Sequence, residues 1–385
     1  MECTQKKEYK MNLKFLAPIL GIGLILSGCT AVDKPIEDFD LGIFSEETIL
    51  SQDNPLVSPL SISMALGMVA NGANGETLTE FETVLKSDLD SFNKTTKEQL
   101  KTLGEQSKIA NSMWVDQDFV PQTDYTNVMT DTYKAQIYNQ ELTQAKDSIN
   151  NWVKGETKGL IPEILTEDLT PADKMVLINT LYFKAKWATP FVESNTEDKT
   201  FTTNKGSQVT TAFMQDYEYP TTYIKKDGIE GAVLNYEGGN YRFIALRPSD
   251  KSDPRDSVLK LNKEKFESLV ASGTEQTMEL AIPKFTHEMN LSLKKSLGNM
   301  GLTSVFDAAT ADLSKISDGV FLSDVLHKTK IIVNENGTEA AAVTAPMIKN
   351  MALIPTEPLI LDSPFAYYIV DNNNNILFAG IYDAP

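Results

Sequence analysis

Two histidines, His287 and His327, and two cysteines, Cys3 and Cys29, are all that this 385-residue chain offers of the side chains that most often shuttle protons near neutral pH, attack carbonyls or hold transition metals. Two His cannot build a three-histidine zinc centre, and two Cys cannot supply a four-thiolate site or a disulfide framework. No G-x-S-x-G elbow presents a serine nucleophile anywhere in the chain. Hydrolytic and metal chemistry are disfavoured at the outset, and no metal, nucleotide or other cofactor is expected. With 53 Asp+Glu against 35 Lys+Arg, a net charge of −18, the chain repels polyanions, so nucleic acid is not a partner. Its 41% of apolar residues can bury a large core.

The amino terminus reads as an address. Lys6, Lys7, Lys10 and Lys14 precede an apolar run from Phe15 to Leu26, closed by Leu26-Ser27-Gly28-Cys29, the order of a secretory leader. The run, interrupted by Pro18, Gly21 and Gly23, is about a dozen residues, short of the roughly 20 that a helix needs to cross a bilayer. Its ending resembles the lipobox of bacterial lipoproteins, which implies cleavage before Cys29 and a lipid on that thiol. Residues 1–28 then form a signal peptide, beginning at Met1 or Met11, residues 29–38 a lipidated tether, and residues 39–385 one globular domain. The expected location is the cell envelope, exported and anchored to the outer membrane or cell surface by lipid alone. Losing residues 1–28 removes four Lys and two Glu and leaves 31 basic against 51 acidic side chains, with no cysteine besides the anchor. Neither a thiol nucleophile nor a disulfide remains.

Within the domain, Ser58-Pro59 followed by Leu60, Ile62, Met64, Leu66, Met68 and Val69 predicts a helix apolar nearly all round, ended by Asn71-Gly72 and lying beneath other layers. Ile149 to Leu165, with a break at Gly159, predicts a helix and a turn. Met175 to Phe183 predicts a strand buried on both faces. Phe365–Val370 and Ile376–Tyr382 flank Asp371 and four Asn, a hairpin signal. Helices dominate the first half and strands the second, which indicates an α+β fold. His287, beside Glu288 after a strand, reads as an ordinary, partly exposed residue.

The stretch from Lys330 to Pro364 suits two structures at once. Ile331-Ile332-Val333 predicts a strand and Asn336-Gly337 a turn or hinge. Beyond it, Thr338, Ala340, Ala342, Thr344, Pro346 and Ile348 share one face of an extended chain, and Glu339, Ala341, Val343, Ala345, Met347 and Lys349 share the other. Small Thr and Ala side chains lose little in solvent and meet little resistance when wedged between strands. Asn350 to Pro364, with Pro355 and Pro358, reads as an exposed loop.

With these residues the chain resembles a serpin. Glu335-Asn336-Gly337-Thr338-Glu339-Ala340-Ala341-Ala342-Val343-Thr344 is similar to the hinge of inhibitory serpins. Asn54-Pro-Leu-Val-Ser58-Pro59-Leu-Ser61, Ile109-Ala-Asn-Ser112, Leu177-Ile-Asn179-Thr-Leu-Tyr-Phe-Lys184-Ala-Lys-Trp187, Ile282-Pro-Lys-Phe285 and His327-Lys match family landmarks in family order. The resemblance implies three β-sheets with eight or nine helices and an exposed reactive-centre loop over about residues 337–360. It implies a single-use, irreversible inhibitor of serine proteases rather than an enzyme: a protease cuts the loop, which inserts as a new strand of the main sheet and traps the acyl-enzyme. Elastase-like, chymotrypsin-like or subtilisin-like targets are expected, with trypsin-like and papain-like cysteine proteases as further options, and the inhibitor is expected to be a monomer.

Family spacing counted from Thr338 puts the scissile bond between Met351 and Ala352, with Met347, Lys349 and Leu353 as alternatives, because the stretch to Pro364-Phe365 is about two residues longer than usual. The thirteen steps from Thr338 to Met351 would carry a tethered acyl group roughly 43 Å. The hinge comprises Glu335, Gly337, Thr338, Ala340, Ala341, Ala342 and Thr344. The resemblance also assigns Asn54, Ser58, Ser61, Asn179 and His327 to a buried network beneath the point where the sheet parts, and Trp187 to the place where the loop first enters. Two departures stand out. Pro346 lacks the N–H of a ladder strand, which keeps a non-inhibitory binding or decoy protein as the alternative, and Ala366 is smaller than the bulky residue usual after Pro364-Phe365.

Overall fold

The computed structural model describes residues 38–51, 53–103, 105–338 and 357–385, within one compact unit running from Ile36 to Pro385. Its first half carries α1 (Phe39–Leu50), β1 (Leu56–Val57), α2 (Pro59–Ala70), α3 (Gly75–Leu85), α4 (Leu89–Thr102), β2 (Ser107–Asp116), α5 (Thr123–Asp131), β3 (Gln136–Gln140), α6 (Lys146–Glu156) and β4 (Met175–Phe183). Strands then take over: β5 (Ala185–Lys186), β6 (Glu197–Thr202), β7 (Gln208–Lys226), β8 (Ile229–Asn235) and β9 (Tyr241–Pro248). The short helices α7 (Arg255–Val258) and α8 (Lys263–Ala271) lead to β10 (Thr274–Pro283), β11 (Phe285–Ser292), α9 (Lys294–Asn299) and β12 (Leu326–Asn334). The chain closes with β13 (Gly337–Thr338), β14 (Leu359–Ile360), β15 (Phe365–Asp371) and β16 (Ile376–Tyr382). Among the described residues this makes nine α-helices and three sheets, the expected α+β architecture.

The largest sheet runs β1-β16-β15-β9-β8-β7-β10-β14, with β6 also on β7. Next to its β1 edge lies the expected antiparallel hairpin, Phe365 to Val370 against Ile376 to Tyr382, buried along nearly its whole length. Ala366, the second residue of that hairpin, is 2% exposed and borders a small cavity of about 10 Å³ with Leu246, Arg247 and Tyr368. The second sheet runs β11-β12-β13-β5 and the third β3-β2-β4.

Local chemistry explains the elements that bear on function. Ser58 caps α2 by accepting from Ser61 N, Pro59 fills its first turn, and nearly every side chain of the helix is buried, so α2 runs through the core. Helix α6 begins at Lys146, three residues before the apolar periodicity starts, and lays Ile149 and Val153 on Trp114 of β2 and Ile178 of β4. Strand β4 corrects one expectation: from Met175 to Leu177 it is only half-buried, and it is closed on both faces only from Thr180 onward. Short apolar runs do not report how far a covering layer extends.

Candidate functional site

Lys184 alone separates β4 from β5, so the two form one course of chain past β12. Between β5 and β12 sits β13, antiparallel to both: Thr338 faces Val333 on one side and Ala185 on the other. It enters from β12 through a two-residue turn, Glu335-Asn336. Beyond Thr338 no ladder among the described residues joins β4 to β12. Among the described residues, two strand edges therefore flank a slot whose mouth holds β13. Strand edges are templates for an added strand.

Each residue at the mouth is there for a physical reason. Gly337 has φ +148°, and a Cβ on it would stand 2.1 Å from Ala185 O and 2.7 Å from Lys186 Cα, so no other residue fits. Thr338 is 2% exposed, and its hydroxyl lies 2.6 Å from Tyr236 Oη. Tyr236 stacks on Trp187 with ring centroids 4.6 Å apart, and Trp187 Nε1 donates to Asn334 O at 2.8 Å. Trp187 N donates to Asn336 O at 3.0 Å, so the tryptophan holds both ends of the turn. Glu335 is 4% exposed; Lys284 Nζ stands 3.0 Å from its carboxylate and Thr196 Oγ1 donates to it at 2.8 Å. Burial works against its charge, but a backbone N–H, Lys284 and Thr196 together hold the carboxyl below its ordinary range.

Deeper down, the N-terminus of α2 grips both flanks. On the β12 side, Ser58 N donates to His327 Nε2 at 3.0 Å. On the β4 side, Ser61 Oγ bonds Asn179 Oδ1, Asn179 Nδ2 donates to Asn111 Oδ1 at 2.6 Å, and Asn111 Nδ2 donates to Tyr133 O at 2.6 Å. Burial drives the His327 pKa down to about 3, so the ring is neutral and serves as an acceptor. Its Nε2 is taken up by a backbone N–H, while Ser58 Oγ accepts from Ser61 N. That is a structural tie, and it leaves the serine hydroxyl without the base that would activate it.

The structure brings Ser58, Ser61, Asn179 and His327 together as expected, but as two ties from one helix end instead of a single network. Trp187, Glu335, Gly337 and Thr338 meet at the mouth as expected. Asn54 is a correction: its backbone N donates to Asp383 Oδ2 at 3.1 Å and its Oδ1 accepts from Asp383 N at 2.6 Å, so it ties down the carboxyl-terminal segment rather than the parting of the sheet. Its carbonyl also lies 2.7 Å from His287 Nε2. His287 is the second correction. It is 6% exposed, with Nδ1 2.6 Å from Tyr367 Oη, and burial lowers its pKa to about 4. An adjacent Glu288 suggested solvent, yet along a strand neighbours point to opposite faces. Tyr236, Lys284 and Thr196 complete the mouth without having been singled out; only Lys284 lay in a recognised landmark. Cys29, Ala340, Ala341, Ala342, Thr344, Pro346, Met347, Lys349, Met351, Ala352 and Leu353 lie outside the described residues.

A family model described as "Serpin (serine protease inhibitor)" matches residues 36–385. Leukocyte elastase inhibitor of Xenopus tropicalis is 33% identical over 352 residues, 86% of this chain and 93% of that protein. The thermophilic serpin tengpin in its native state superposes with a TM-score of 0.83 at 34% identity, covering 90% of this chain and 92% of tengpin. Tengpin in its latent state gives 0.78 at 31% identity, covering 90% of this chain and 96% of that one.

Proposed function

This chain belongs to the serpin family, and from that premise we propose that it inhibits serine proteases irreversibly, by inserting its cleaved loop into the slot between β4 and β12 and so trapping the acyl-enzyme. The observation that carries the reading is β13, seated between β5 and β12 at the head of two edges that no ladder joins among the described residues. Continuing its register, residue 345 would stand opposite Leu326, the first residue of β12, and residue 348 opposite Met175, the first residue of β4. The slot is thus about as deep as the run of small residues is long.

Leukocyte elastase inhibitors among the relatives favour an elastase-like target, and we assign the scissile bond to Met351–Ala352, an unbranched apolar residue suiting such a pocket. Support for a lipid anchor at Cys29 and a place in the cell envelope comes from the order of residues 1–29.

Pro346 favours the decoy alternative, and the register limits its weight. Residue 346 would fall beyond the end of β12, and since Asn336 O already points to Trp187, residues of even number would turn their N–H toward β4. Pro346 would then cost one ladder bond near the foot of the slot, about 0.5 to 1.5 kcal/mol. Incubation of the purified protein with elastase-like, subtilisin-like and trypsin-like proteases decides between the two. A complex that survives SDS, with mass spectrometry of the released fragment giving the bond, is expected. Cleavage with no complex and no gain in heat resistance would establish the decoy.

A further inference from the structure

An Asn-Gly pair carries a reactivity of its own. The glycine's backbone nitrogen attacks the asparagine side-chain carbonyl carbon: the N–Cγ bond forms, the Cγ–Nδ2 bond breaks, and the amide leaves as ammonia, taking the glycine's N–H proton. Water then opens the cyclic imide at one carbonyl or the other and leaves aspartate or isoaspartate. Glycine favours the attack because no Cβ shields its nitrogen and its backbone turns freely. The chain holds three such pairs, Asn71-Gly72, Asn74-Gly75 and Asn336-Gly337.

Their surroundings grade them. Asn71 is fastened: Nδ2 reaches Gly67 O at 2.7 Å, Asn93 Oδ1 at 3.0 Å and Tyr133 Oη at 3.2 Å, Oδ1 accepts from Asn93 Nδ2 at 2.8 Å, and Gly72 N donates to Val69 O at 2.8 Å. Carbon and nitrogen are both held where they are. Asn74 is exposed and its side chain makes no capping bond, but it stands at the N-cap of α3, where an acidic side chain is favourable. Conversion to aspartate there suits the helix. Asn336 is half-buried, and among the described residues only its backbone is engaged, N donating to Asn334 Oδ1 and O accepting from Trp187 N, both at 3.0 Å. Its carboxamide holds nothing there, and the β13 that keeps the pair in place is two residues long. So short a ladder opens at the low end of native-state free energies.

The labile neighbour is one the mouth demands. Gly337 has no room for a Cβ against Ala185 O and Lys186 Cα, so the residue that hastens the reaction cannot be exchanged. The product does not fit where the asparagine did. Isoaspartate runs the main chain through Cβ and Cγ, which adds a methylene to a two-residue turn whose length is set by the Asn334–Gly337 pairing. The carbonyl that accepts from Trp187 N becomes part of a free carboxylate, beside a Glu335 whose partner Lys284 is already engaged.

We propose that Asn336-Gly337 is a site of spontaneous deamidation gated by β13: each opening of the strand lets the Gly337 nitrogen close on Asn336, and the isoaspartyl turn that follows no longer reseats, so trapping is lost. The modification is independent of the insertion reading, and its effect on trapping rests on it. Wild type, Asn336→Gln and Tyr236→Phe would be aged in mildly alkaline buffer. Each would be sampled, against its own fresh preparation, for conversion at every Asn-Gly pair by peptide mass mapping, for isoaspartate by enzymatic methylation, and for trapping capacity. Conversion at Asn336 is expected to outrun that at Asn71 by roughly a hundredfold or more. Tyr236→Phe, which takes the hydroxyl partner from Thr338, is expected to speed Asn336 by roughly fivefold and to leave Asn71 and Asn74 alone. Glutamine would close a larger ring and reacts far more slowly, so Asn336→Gln is expected to keep its capacity while wild type loses its own in step with conversion. Asn336 as slow as Asn71, an equal rise at all three pairs in Tyr236→Phe, or undiminished capacity in a converted preparation overturns the proposal. Should fresh wild type trap no protease, the inhibitor reading fails by itself, and the gated site still stands or falls on the mapping.

Discussion

Because Thr338 is already seated in the uncut chain, two substitutions there should separate stability from trapping. Thr338→Val keeps the shape and strips the hydroxyl from Tyr236, whose Oη then lies buried with its 2.6 Å partner gone. A buried group left unsatisfied costs about 1 to 3 kcal/mol. The cost falls on the uncut state and the inserted state alike, however, since residue 338 occupies the same place in both, and a uniform penalty leaves the barrier between them unchanged. Thr338→Arg differs in kind. A guanidinium cannot be buried at a 2% exposed position beside the Trp187–Tyr236 stack without a partner, so β13 is forced out and insertion loses its first step. On the proposed insertion mechanism, capture is a race between insertion and hydrolysis of the acyl-enzyme, and about 1.4 kcal/mol on the insertion barrier shifts that race tenfold. A penalty of about 3 kcal/mol or more makes the Arg variant a substrate, with stoichiometry of inhibition raised on the order of a hundredfold. Urea unfolding gives the stability and active-site-titrated protease gives the stoichiometry. The expected pattern is a less stable Val variant that traps within twofold of wild type, and an Arg variant cleaved without trapping. A Val variant that fails to trap as badly as Arg would show that residue 338 is seated only after cleavage, and normal trapping by Arg would remove insertion altogether.

Gly337→Ala should be refused by the mouth. Its left-handed backbone angle costs about 1 to 3 kcal/mol by itself, and the contacts at 2.1 and 2.7 Å are with backbone of β5, which cannot step aside cheaply; unfolding in urea should show the loss, and unchanged stability would contradict the seated β13. The two buried histidines predict an acid-side weakness. Both folded pKa values, about 3 for His327 and about 4 for His287, lie below the ordinary 6.5, so the unfolded chain binds the extra protons. Their stabilising effect is complete above about pH 6.5 and is lost as pH falls toward 4 and 3, by about 2 kcal/mol per ring at pH 5. Asp40, whose carboxyl burial lifts to about 7, slopes the opposite way. Comparison of wild type with His327→Gln between pH 7.5 and 5 isolates the ring, and parallel stability curves for the two proteins would refute the assignment.

What could be read from the sequence divides by range. Ser58-Pro59, the hairpin around Asn372 to Asn375 and the demand for glycine at 337 are local requirements, each satisfied within a few residues, and each is where the pattern put it. The partners that make the mouth work are distant in sequence: Tyr236 reaches Thr338 across 102 positions and Lys284 reaches Glu335 across 51. Nothing in the alternation of a strand says which tyrosine will lie under which threonine, because that depends on how separate sheets pack. Asn54 and His287 mislead for the same reason. Each has a plausible local setting, and each is decided by a partner distant in sequence, Asp383 at 329 positions from Asn54 and Tyr367 at 80 from His287.

The placement of the ties constrains the order of events. At the mouth, Trp187, Glu335 and Tyr236 bind β13 and its turn to structures on the β5 side of the slot. Deeper, α2 holds β12 through Ser58 and β4 through Ser61, so the two flanks are fastened to one rigid helix end and not to each other. A strand arriving from Thr338 meets the facing edges of β4 and β12 first and must then pass the level where both flanks share an anchor. Parting them there means giving up either the His327 bond or the Asn179 bond, each a modest term of about 1 kcal/mol, while every residue seated above adds ladder bonds and buries small apolar surface. If the chain traps by insertion as proposed, the inserting strand should start easily, slow at the helix end and finish downhill, with kinetic control at Ser58 and Ser61 and with Gly337 and Thr338 deciding whether it begins.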